Sequence, residues 1–317
     1  MLAVNAVAHP GGAEIGLRRL IDRLDGWEVT VAGPDELPVG GLAARAGATA
    51  LRSFPKARRL ARAHDVVYLN GTVAGRLLPA VANAARTVLH VHDLVDRVPR
   101  FWRRADVVLA DSEAVADRLD GLAAHVVGCP VELNAEPAAA PPWERGDGPV
   151  IGYAGRIEPR KGVLDLVRAA PAIRARVPGS QVVIMGSDAY SADPGYGALV
   201  AAASDVQTVG WVENAPSLMS HLDLLVLPSY AEPFGTVLAE AMAAGTPVVA
   251  TAVGGLPEVV RDGVDGVLVP PGRPDALADG VVRALERRDE LAAHARSGAR
   301  RFDADGYARR VEALIAP

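Results

Sequence analysis

A glycine-rich segment with two cations has the residue types needed to bind a phosphate. Gly152–Gly162 reads GYAGRIEPRKG and follows an apolar run that predicts a strand. Glycine lets the backbone approach a ligand, Arg156 offers a two-pronged donor, and Lys161 places a compact charge where a helix begins. An ordinary turn with solvated charges is the alternative. The segment has neither the GxxxxGK(S/T) nor the GxGxxG spacing, which argues against an NTPase and a dinucleotide-dependent dehydrogenase.

Two carboxylates flank a turn further along the chain. Glu232 precedes the sequence Pro-Phe-Gly-Thr, and Glu240 lies eight positions later on a predicted helix. Eight positions are about 2.2 helical turns, so the side chains are not stacked and can reach different parts of one extended ligand. Vicinal hydroxyls of a sugar suit such carboxylates, although solvated glutamates beside a turn are the alternative. Backbone amides that suit an anion follow Glu232, at Phe234, Gly235 and Thr236.

Together these segments resemble the retaining nucleotide-sugar glycosyltransferases of family four, which have the GT-B fold. The resemblance covers residues 148–290 and rests on ordered patterns: Gly155-Arg156…Lys161-Gly162, Glu232-x7-Glu240, GTPVVA at 245–250, GGLPEV at 254–259 and DGVDG at 262–266. It implies two tandem Rossmann-like domains that face each other across a cleft. It also implies that the C-terminal helix returns to the first domain.

The resemblance implies roles for individual residues. Arg156 and Lys161 would hold the diphosphate, with the backbone at Gly155 close to it. Glu232 would hold the sugar hydroxyls and Glu240 the ribose diol. The backbone near Val212, together with the amides of Phe234, Gly235 and Thr236, would complete the donor site. Because two cations replace a divalent ion, the transfer would need no metal and no other cofactor, and the donor would be a UDP-, GDP- or dTDP-sugar.

The first part of the chain fits the family more loosely. A pair of glycines in His9–Glu14 makes an anion-friendly turn, and the resemblance assigns the amide of Gly12 to the donor phosphate or the acceptor. His92, in the sequence HVHD at 90–93, resembles the family's His-Asp step, in which the histidine lies beside the donor sugar and is catalytic. His90 faces the same way by strand alternation and remains the alternative. A lone histidine more often has a structural or surface role.

Short β-branched runs alternate with helical stretches in two blocks, which predicts doubly wound α/β domains with parallel sheets. In the first block the predicted strands are Leu2–Val7, Val29–Ala32, Val66–Leu69, Val88–Val91 and Val107–Ala110, with helices at Glu14–Leu24 and Val73–Ala85. In the second block they are Val150–Ala154, Gln181–Met185, Val206–Val209, Leu224–Leu227, Val248–Thr251 and Val267–Val269, with helices at Gly162–Arg176, Thr236–Ala244 and Asp275–Arg287. Ligands of such sheets bind at the carboxyl ends of the strands.

Four prolines in residues 136–149 indicate a linker between the two blocks. We therefore expect an acceptor-side domain over residues 1–135, a nucleotide-sugar-binding domain over 150–300 and a C-terminal helix over 301–317. Where the family has an Asn-Gly-Val-Asp loop, this chain has Cys129-Pro130-Val131-Glu132, so the ligand contacts of that boundary are left open.

The composition is that of a globular protein, with 317 residues, 50% of them apolar and 22% charged. A net charge of -5 gives no support for a nucleic-acid partner. The chain lacks a run of 18 apolar residues, so we expect no membrane-spanning segment. Of the 33 basic residues only Lys56 and Lys161 are lysines, which is typical of a GC-rich genome and indicates a bacterial source. With a single cysteine and no possible internal disulfide, the sequence predicts a cytoplasmic protein.

The sequence thus predicts a retaining, metal-independent hexosyltransferase that acts on a small-molecule or glycan acceptor. An epimerase or a phosphorylase on the same fold would cradle phosphates in the same way. A catalytically inactive subunit that binds nucleotide sugars would keep the same cations and carboxylates. The donor base, the sugar and the oligomeric state remain open at this point.

Overall fold

A computed structural model describes residues 1–6, 11–40, 46–189, 191 and 193–317. The chain divides into two compact units. Unit 1 comprises Met1–Pro130 together with Ala304–Pro317, and unit 2 comprises Val131–Asp303. Each unit is built on a six-stranded parallel sheet with helices, which confirms the predicted α/β fold class.

Unit 1 is built on a sheet of order β2-β1-β3-β4-β5-β6. Its strands are β1 Leu2–Asn5, β2 Thr30–Ala32, β3 Val66–Asn70, β4 Arg86–Val91, β5 Val107–Ala110 and β6 His125–Val126. The chain runs from β1 to one side of the sheet and then returns to the other side at β3. The loops after these strands therefore lie at the topological switch point, where α/β sheets bind ligands.

Unit 2 repeats this plan with a sheet of order β12-β11-β10-β7-β8-β9. Its strands are β7 Val150–Ala154, β8 Gln181–Met185, β9 Gln207–Gly210, β10 Leu224–Leu227, β11 Val248–Thr251 and β12 Val267–Val269. All but the edge strand β9 have the predicted bounds. The strand order reverses between β7 and β10, which places the loops after these two strands at the switch point.

The helices cover the two sheets. They are α1 Gly12–Ile21, α2 Ala46–Ala61, α3 Gly71–Ala74, α4 Leu78–Val81, α5 Glu113–Ala116, α6 Val163–Arg176, α7 Pro194–Ala201, α8 Thr236–Ala244, α9 Leu256–Val259, α10 Pro274–Glu286, α11 Arg288–Ala299 and α12 Ala304–Ile315. None of these helices is long and apolar enough to cross a membrane.

The predicted helix Val73–Ala85 is wrong as a single element. The structure has α3, a 3₁₀ turn at Gly75–Leu77, and α4 in its place. Pro79 lies in the first turn of α4 and donates no amide hydrogen bond to the preceding turn. Asn83 then adopts a left-handed conformation with φ of 68°, which ends the helical path before Ala85.

The C-terminal helix α12 packs on unit 1, as predicted. Its buried face includes Tyr307 and Val311, which lie in one core cluster with Leu20 of α1 and Tyr68 of β3. A hydrogen bond of 2.9 Å from the indole nitrogen of Trp27 to Oε1 of Glu312 fixes the far end of the helix.

Residues 136–149, for which a linker is predicted, form no helix or strand and belong to unit 2. The amide of Ala138 donates to the carbonyl oxygen of Ser217 at 2.8 Å. The Gln181 side chain at the start of β8 contacts the same segment, because it accepts from the amide of Gly146 at 2.7 Å and donates to the carbonyl oxygen of Glu144 at 3.1 Å.

Candidate active site

The loops after β7 and β10 approach each other closely at Gly162. This residue has φ of +64°, and a Cβ atom there would lie 2.0 Å from the carbonyl oxygen of Pro228. The amide of Tyr230 donates to the carbonyl oxygen of Arg160 at 2.8 Å. Only glycine fits both the backbone angle and the space. Gly162 therefore lets the loop after β7 lie against the loop after β10.

Lys161 and Glu232 form an ion pair across this contact. The Lys161 Nζ atom lies 2.5 Å from Oε2 of Glu232, and the two side chains are only 13% and 9% exposed. Lys161 follows β7 and Glu232 follows β10, and these strands are parallel neighbours in the sheet. The structure thus brings together one cation and one carboxylate that the sequence assigns to the same ligand.

The backbone of Glu232 is also fixed from the other side. Its carbonyl oxygen accepts from the amide of Gly255 at 3.0 Å. A Cβ atom at Gly254 would lie 2.1 Å from the same oxygen, and Gly254 has φ of +51°. The GGLPEV segment at 254–259 therefore holds the loop that carries Glu232 in place. The sequence indicates only that a helix begins in this segment.

Glu232 is held in its charged form. The hydroxyl of Ser229 donates to Oε2 at 3.1 Å, alongside the ammonium group of Lys161. Burial by itself raises the pKa of Glu232, but the charge and hydrogen bond of Lys161 outweigh burial and bring the pKa below its usual value. The side chain is therefore a hydrogen-bond acceptor for a ligand.

Arg160, which the sequence prediction did not include, makes closer contacts in this segment than the predicted Arg156. The side chain of Arg156 is 48% exposed, and its Nη2 atom lies 3.8 Å from Oε1 of Glu158. Arg160 instead donates to the carbonyl oxygen of Ala231 at 2.8 Å and pairs with Glu158 at 2.8 Å. Arg160 thus braces the loop that carries Glu232, while Arg156 lies nearer the solvent. The sequence signal for Arg160 was its position directly before Lys161.

The start of α8 presents backbone amides at the end of β10. Gly235 caps the helix with φ of 91°, and a Cβ atom there would lie 2.5 Å from Leu256. The ring of Phe234 is buried against Phe302 at a centroid distance of 5.4 Å, so the residue offers a ligand only its backbone. Thr236 and Glu240 are half-buried within α8.

Two further predicted positions lie at the ends of other strands. Val212 is half-buried and follows β9, after Gly210 with φ of 76°. Gly12 is exposed at the first position of α1, and His9 and Pro10 lie outside the described residues. The amide of Gly11 donates to the Glu14 carboxylate at 2.8 Å. One backbone donor of the predicted anion-binding turn is therefore bound by an acidic side chain of the same chain.

A second polar cluster lies at the carboxyl ends of β4 and β5 in unit 1. Asp111 bridges both histidines of the HVHD sequence: Oδ1 lies 2.9 Å from Nε2 of His90, and Oδ2 lies 2.9 Å from Nδ1 of His92. We call His90, His92 and Asp111 the histidine–aspartate cluster. Sequence reasoning missed Asp111, although its place directly after a strand adjacent to β4 was the signal.

The two histidines differ in their preferred charge. Burial and the nearby His92 ring lower the pKa of His90 to about 4. Burial also lowers the pKa of His92, but the Asp111 carboxylate outweighs it and raises the pKa above the usual value. Asp111 itself has a pKa far below its usual range, because the two histidines stabilise its charge more than burial opposes it. The side chain of His92 is 11% exposed, whereas that of His90 is 2% exposed.

The same cluster is the group of described residues that could hold a metal ion. One ligand atom from each of His90, His92 and Asp111 lies within 4.8 Å of the others. Two imidazoles and a carboxylate suit zinc and other transition metals.

The fold and these strand-end residues define an α/β protein of the GT-B type with groups suited to phosphate and hydroxyl ligands. Comparison with known proteins agrees. The family described as "Glycosyl transferases group 1" matches residues 148–287. The D-inositol 3-phosphate glycosyltransferase of Actinosynnema mirum is 35% identical over 242 residues, which cover 67% of this chain and 57% of that protein. The enzyme of the same name from Mycolicibacterium smegmatis is 38% identical over 54% of this chain and 40% of that protein.

Solved structures share the whole fold. Anabaena Alr3699/HepE in complex with UDP-glucose superimposes with a TM-score of 0.79 at 23% identity, over 99% of this chain and 98% of that one. Sucrose-phosphate synthase from Thermosynechococcus elongatus gives 0.78 at 24% identity, over 99% and 97%. The chain therefore carries a group 1 glycosyltransferase domain over residues 148–287 and has the GT-B fold, and it spans little more than half the length of the first of these relatives.

Proposed function

We propose that this chain is a retaining glycosyltransferase that moves a sugar from a nucleoside-diphosphate sugar to an acceptor hydroxyl without a metal ion. The observation that carries the proposal is the Lys161–Glu232 ion pair at the carboxyl ends of β7 and β10. The pair lies inside the matched domain, over residues 148–287. A cation and a carboxylate at this point suit the two ends of one donor, its diphosphate and its sugar hydroxyls.

The main requirement of the reaction is that the charge on the leaving group is stabilised. The bond from the anomeric carbon to the diphosphate oxygen breaks, the acceptor oxygen bonds to that carbon, and the acceptor proton is lost to solvent or to the diphosphate. Negative charge therefore grows on the diphosphate. Lys161 and Arg156 would stabilise this charge, and the backbone amide of Thr236 would add a dipole. One such preorganised donor is typically worth about 3–4 kcal/mol.

The carboxylates would orient the donor. Among the described residues, the hydrogen bonds to Glu232 from Lys161 and Ser229 both end on Oε2, so Oε1 remains the oxygen to accept from a sugar hydroxyl. Glu240 would accept from the ribose diol. The backbone at Gly155 would approach the phosphates, and the backbone at Val212 would contact the edge of the base.

The names of similar proteins indicate which substrates to try first. A structural relative was solved with UDP-glucose, and two sequence relatives are named D-inositol 3-phosphate glycosyltransferases. We therefore infer a UDP-sugar donor and a polyol phosphate as the first acceptor to test. Cys129 is the single cysteine of the chain and is buried, which fits a reducing compartment, and the proposal places the enzyme in the cytoplasm.

The test is a product assay. The protein is incubated with UDP-, GDP- and dTDP-sugars and with polyol phosphate or glycan acceptors, in the presence of EDTA, and products are identified by mass spectrometry and NMR. A glycoside with the anomeric configuration of the donor supports the proposal. An epimerised donor or a free sugar phosphate without glycoside would indicate the epimerase or phosphorylase instead. Donor binding without any turnover would indicate an inactive binding subunit.

A further inference from the structure

The loop after β10 is attached to the loop after β7 at three successive residues, Tyr230, Ala231 and Glu232. The amide of Tyr230 donates to the carbonyl oxygen of Arg160 at 2.8 Å. The carbonyl oxygen of Ala231 accepts from Nη1 of Arg160 at 2.8 Å, and Glu232 pairs with Lys161. These contacts join one loop to another, so by themselves they do not fix the loop after β10 to a regular element of the fold.

The side chain of Tyr230 adds a contact to helix α6. Its hydroxyl donates to Oδ2 of Asp165 at 2.6 Å, and Asp165 lies in the first turn of α6. The ring lies beside the glycine at which the two loops meet, because a Cβ atom at Gly162 would lie 3.6 Å from Cε2 of Tyr230. Tyr230 therefore connects the loop that carries Glu232 to the helix that begins directly after Gly162.

Helix α6 is a rigid support for such a contact. It has 14 residues and packs along α10. Its buried apolar face is formed by Val163, Leu166, Ala169, Ala170 and Ile173. A side chain held by a packed helix is positioned more precisely than one held by loops alone. Asp165 can therefore fix Tyr230 and, through it, the loop after β10.

The acceptor of this hydrogen bond is a carboxylate that is only 3% exposed. Oδ1 of Asp165 accepts from Nη1 of Arg168 at 3.2 Å, but the Arg168 side chain is 63% exposed, so solvent weakens that pair. Oδ2 accepts from Tyr230 at 2.6 Å, the length of a strong hydrogen bond from a hydroxyl to a carboxylate. Loss of the hydroxyl would leave a buried charge with less hydrogen bonding, which makes this bond costly to break.

Tyr230 keeps the proton that it donates. The hydrogen bond to Asp165 raises the pKa of Tyr230 to about 12, so the hydroxyl remains a donor at neutral pH. The residue is 46% exposed, so packing of the ring alone does not hold it in place. Replacement by phenylalanine therefore keeps the ring and removes the bond to α6.

We propose that Tyr230 and Asp165 are positioning residues of the candidate active site. Their hydrogen bond fixes the loop after β10 to the start of α6, and this holds Glu232 beside Lys161. Both residues act through Lys161 and Glu232, which the proposed function assigns to the donor. The inference deepens that function and rests on it for the identity of the ligand.

The test uses the two lysines of the chain, Lys56 and Lys161. In protein labelled with ¹³C-lysine and studied by NMR without substrate, a Lys56→Arg variant assigns the signals. The two Hε protons of a lysine held in one conformation have different chemical shifts, whereas free rotation averages them. We expect separated Hε signals for Lys161 in the wild type and a smaller separation in Tyr230→Phe. The signals of exposed Lys56 should not move.

Tyr196→Phe is the matched control. The Tyr196 hydroxyl accepts from the amide of Leu164 at 3.0 Å, so this variant removes a hydroxyl from the same turn of α6 and keeps the bond between Tyr230 and Asp165. A hydroxyl that only stabilises α6 would give equal changes at Lys161 in both variants. The positioning role predicts a change in Tyr230→Phe alone. Equal changes, or unchanged Lys161 signals in folded Tyr230→Phe, would overturn the inference.

Asp165→Asn tests the same bond from the acceptor side. A neutral amide oxygen accepts more weakly than a carboxylate, so the Lys161 signals should move in the same direction as in Tyr230→Phe but less far. The double variant should resemble Tyr230→Phe, because both changes act on one bond. Circular dichroism shows which variants fold, and Asp165→Asn decides alone if Tyr230→Phe does not. Unchanged Lys161 signals in Asp165→Asn, or additive changes in the double variant, would overturn the inference.

Turnover gives a second readout. Tyr230→Phe should reduce kcat/KM for sugar transfer by about 10–100-fold, the loss expected when groups that hold the substrate are misplaced, whereas Tyr196→Phe should leave it unchanged. Full activity in Tyr230→Phe would contradict the positioning role. The NMR measurement needs no substrate, so a protein that transfers no sugar would reject the proposed function and leave the NMR result standing. The two proposals can therefore be rejected separately.

Discussion

Lys161 Nζ lies 2.5 Å from Glu232 Oε2, although the two residues are 71 positions apart in the chain. The contact arises because β7 and β10 are neighbours and because Gly162 allows their loops to touch. Each charge neutralises the other. Under the proposed function, a donor that brings a diphosphate and hydroxyls would share both groups.

The first prediction concerns Lys161 and catalysis. Lys161→Ala should reduce turnover at least about a hundredfold, because a preorganised cation that stabilises the leaving diphosphate is lost. The other lysine of the chain, Lys56 on α2, provides the matched control. Lys56→Ala removes the same charge and should leave turnover unchanged.

Initial rates of sugar transfer at saturating donor measure this effect, with circular dichroism to confirm that each variant is folded. Near-normal turnover in folded Lys161→Ala would contradict its assigned role. An equal loss in both lysine variants would show that only the overall charge matters.

The second prediction concerns the energy of the ion pair. Both side chains are largely buried, so Lys161→Met should lower the free energy of unfolding by about 3–5 kcal/mol by leaving the Glu232 carboxylate unpaired. Glu232→Gln should also destabilise the protein, but the double variant should cost less than the sum. Urea unfolding of the three variants gives the coupling free energy.

The exposed pair Arg273–Asp275, with side chains 62% and 66% exposed, is the control cycle and should show no measurable coupling. Additive effects at Lys161 and Glu232 would show that the two charges do not interact in solution.

The third prediction isolates the close approach at Gly162. Gly162→Ala should destabilise unit 2 more than the left-handed angle alone explains, because the added Cβ would collide with the carbonyl oxygen of Pro228. Gly26 has a similar φ of 77° with no atom within 4 Å of an added Cβ. Gly26→Ala should therefore cost only the conformational part, about 1–2 kcal/mol. Gly162→Ala should cost about 1–3 kcal/mol more.

Thermal or urea unfolding measures the difference between the two glycine variants. Equal costs would mean that the loops after β7 and β10 move apart easily, and that the position of Lys161 beside Glu232 does not depend on this glycine.

Strand positions were predictable from the sequence because β-branched runs between glycines and prolines are local signals. Thus β7, β8, β10, β11 and β12 have the predicted bounds. The helix Val73–Ala85 was wrong, since Pro79 and the left-handed Asn83 interrupt a pattern that is otherwise helical. The resemblance to a family supplied Lys161 and Glu232 as candidates, but local pattern alone gives no distance between them.

Asp111 was missed because its partnership is set by strand register, which no local pattern encodes. In the pairing of β4 with β5, Val91 lies opposite Ala110, so the next residues, His92 and Asp111, leave the sheet side by side. The sequence signal for Arg160 was equally weak, because no local pattern distinguishes Arg160 from Arg156. Only the folded loop shows which of them contacts the loop of Glu232. Long-range pairing therefore accounts for most of what the sequence did not reveal.

The fourth prediction concerns acid sensitivity. His90 has a pKa of about 4 in the folded protein, below its usual 6.5, so the unfolded chain binds a proton that the folded chain does not. Stability should therefore fall as the pH drops from 6.5 towards 4, with a contribution of about 1.4 kcal/mol per pH unit from this group. His90→Asn should reduce the slope by one proton.

His92 should act in the opposite direction above neutrality. Its pKa is raised in the folded protein, so its contribution to stability is complete below about pH 6.5 and is lost as the pH rises through the folded pKa. Urea midpoints measured from pH 4.5 to 9 test both slopes. A flat profile below pH 6.5 in the wild-type protein would contradict the buried neutral state of His90.

The most direct test of the account is calorimetric titration of UDP into the wild-type protein, Lys161→Ala and Lys56→Ala, with EDTA present throughout. We expect one UDP per chain in the wild type and in Lys56→Ala. Lys161→Ala should bind at least tenfold more weakly, which corresponds to about 1.4 kcal/mol. Equal affinity in all three proteins, or binding that EDTA abolishes, would contradict the claim that Lys161 holds the diphosphate of a nucleotide sugar without a metal ion.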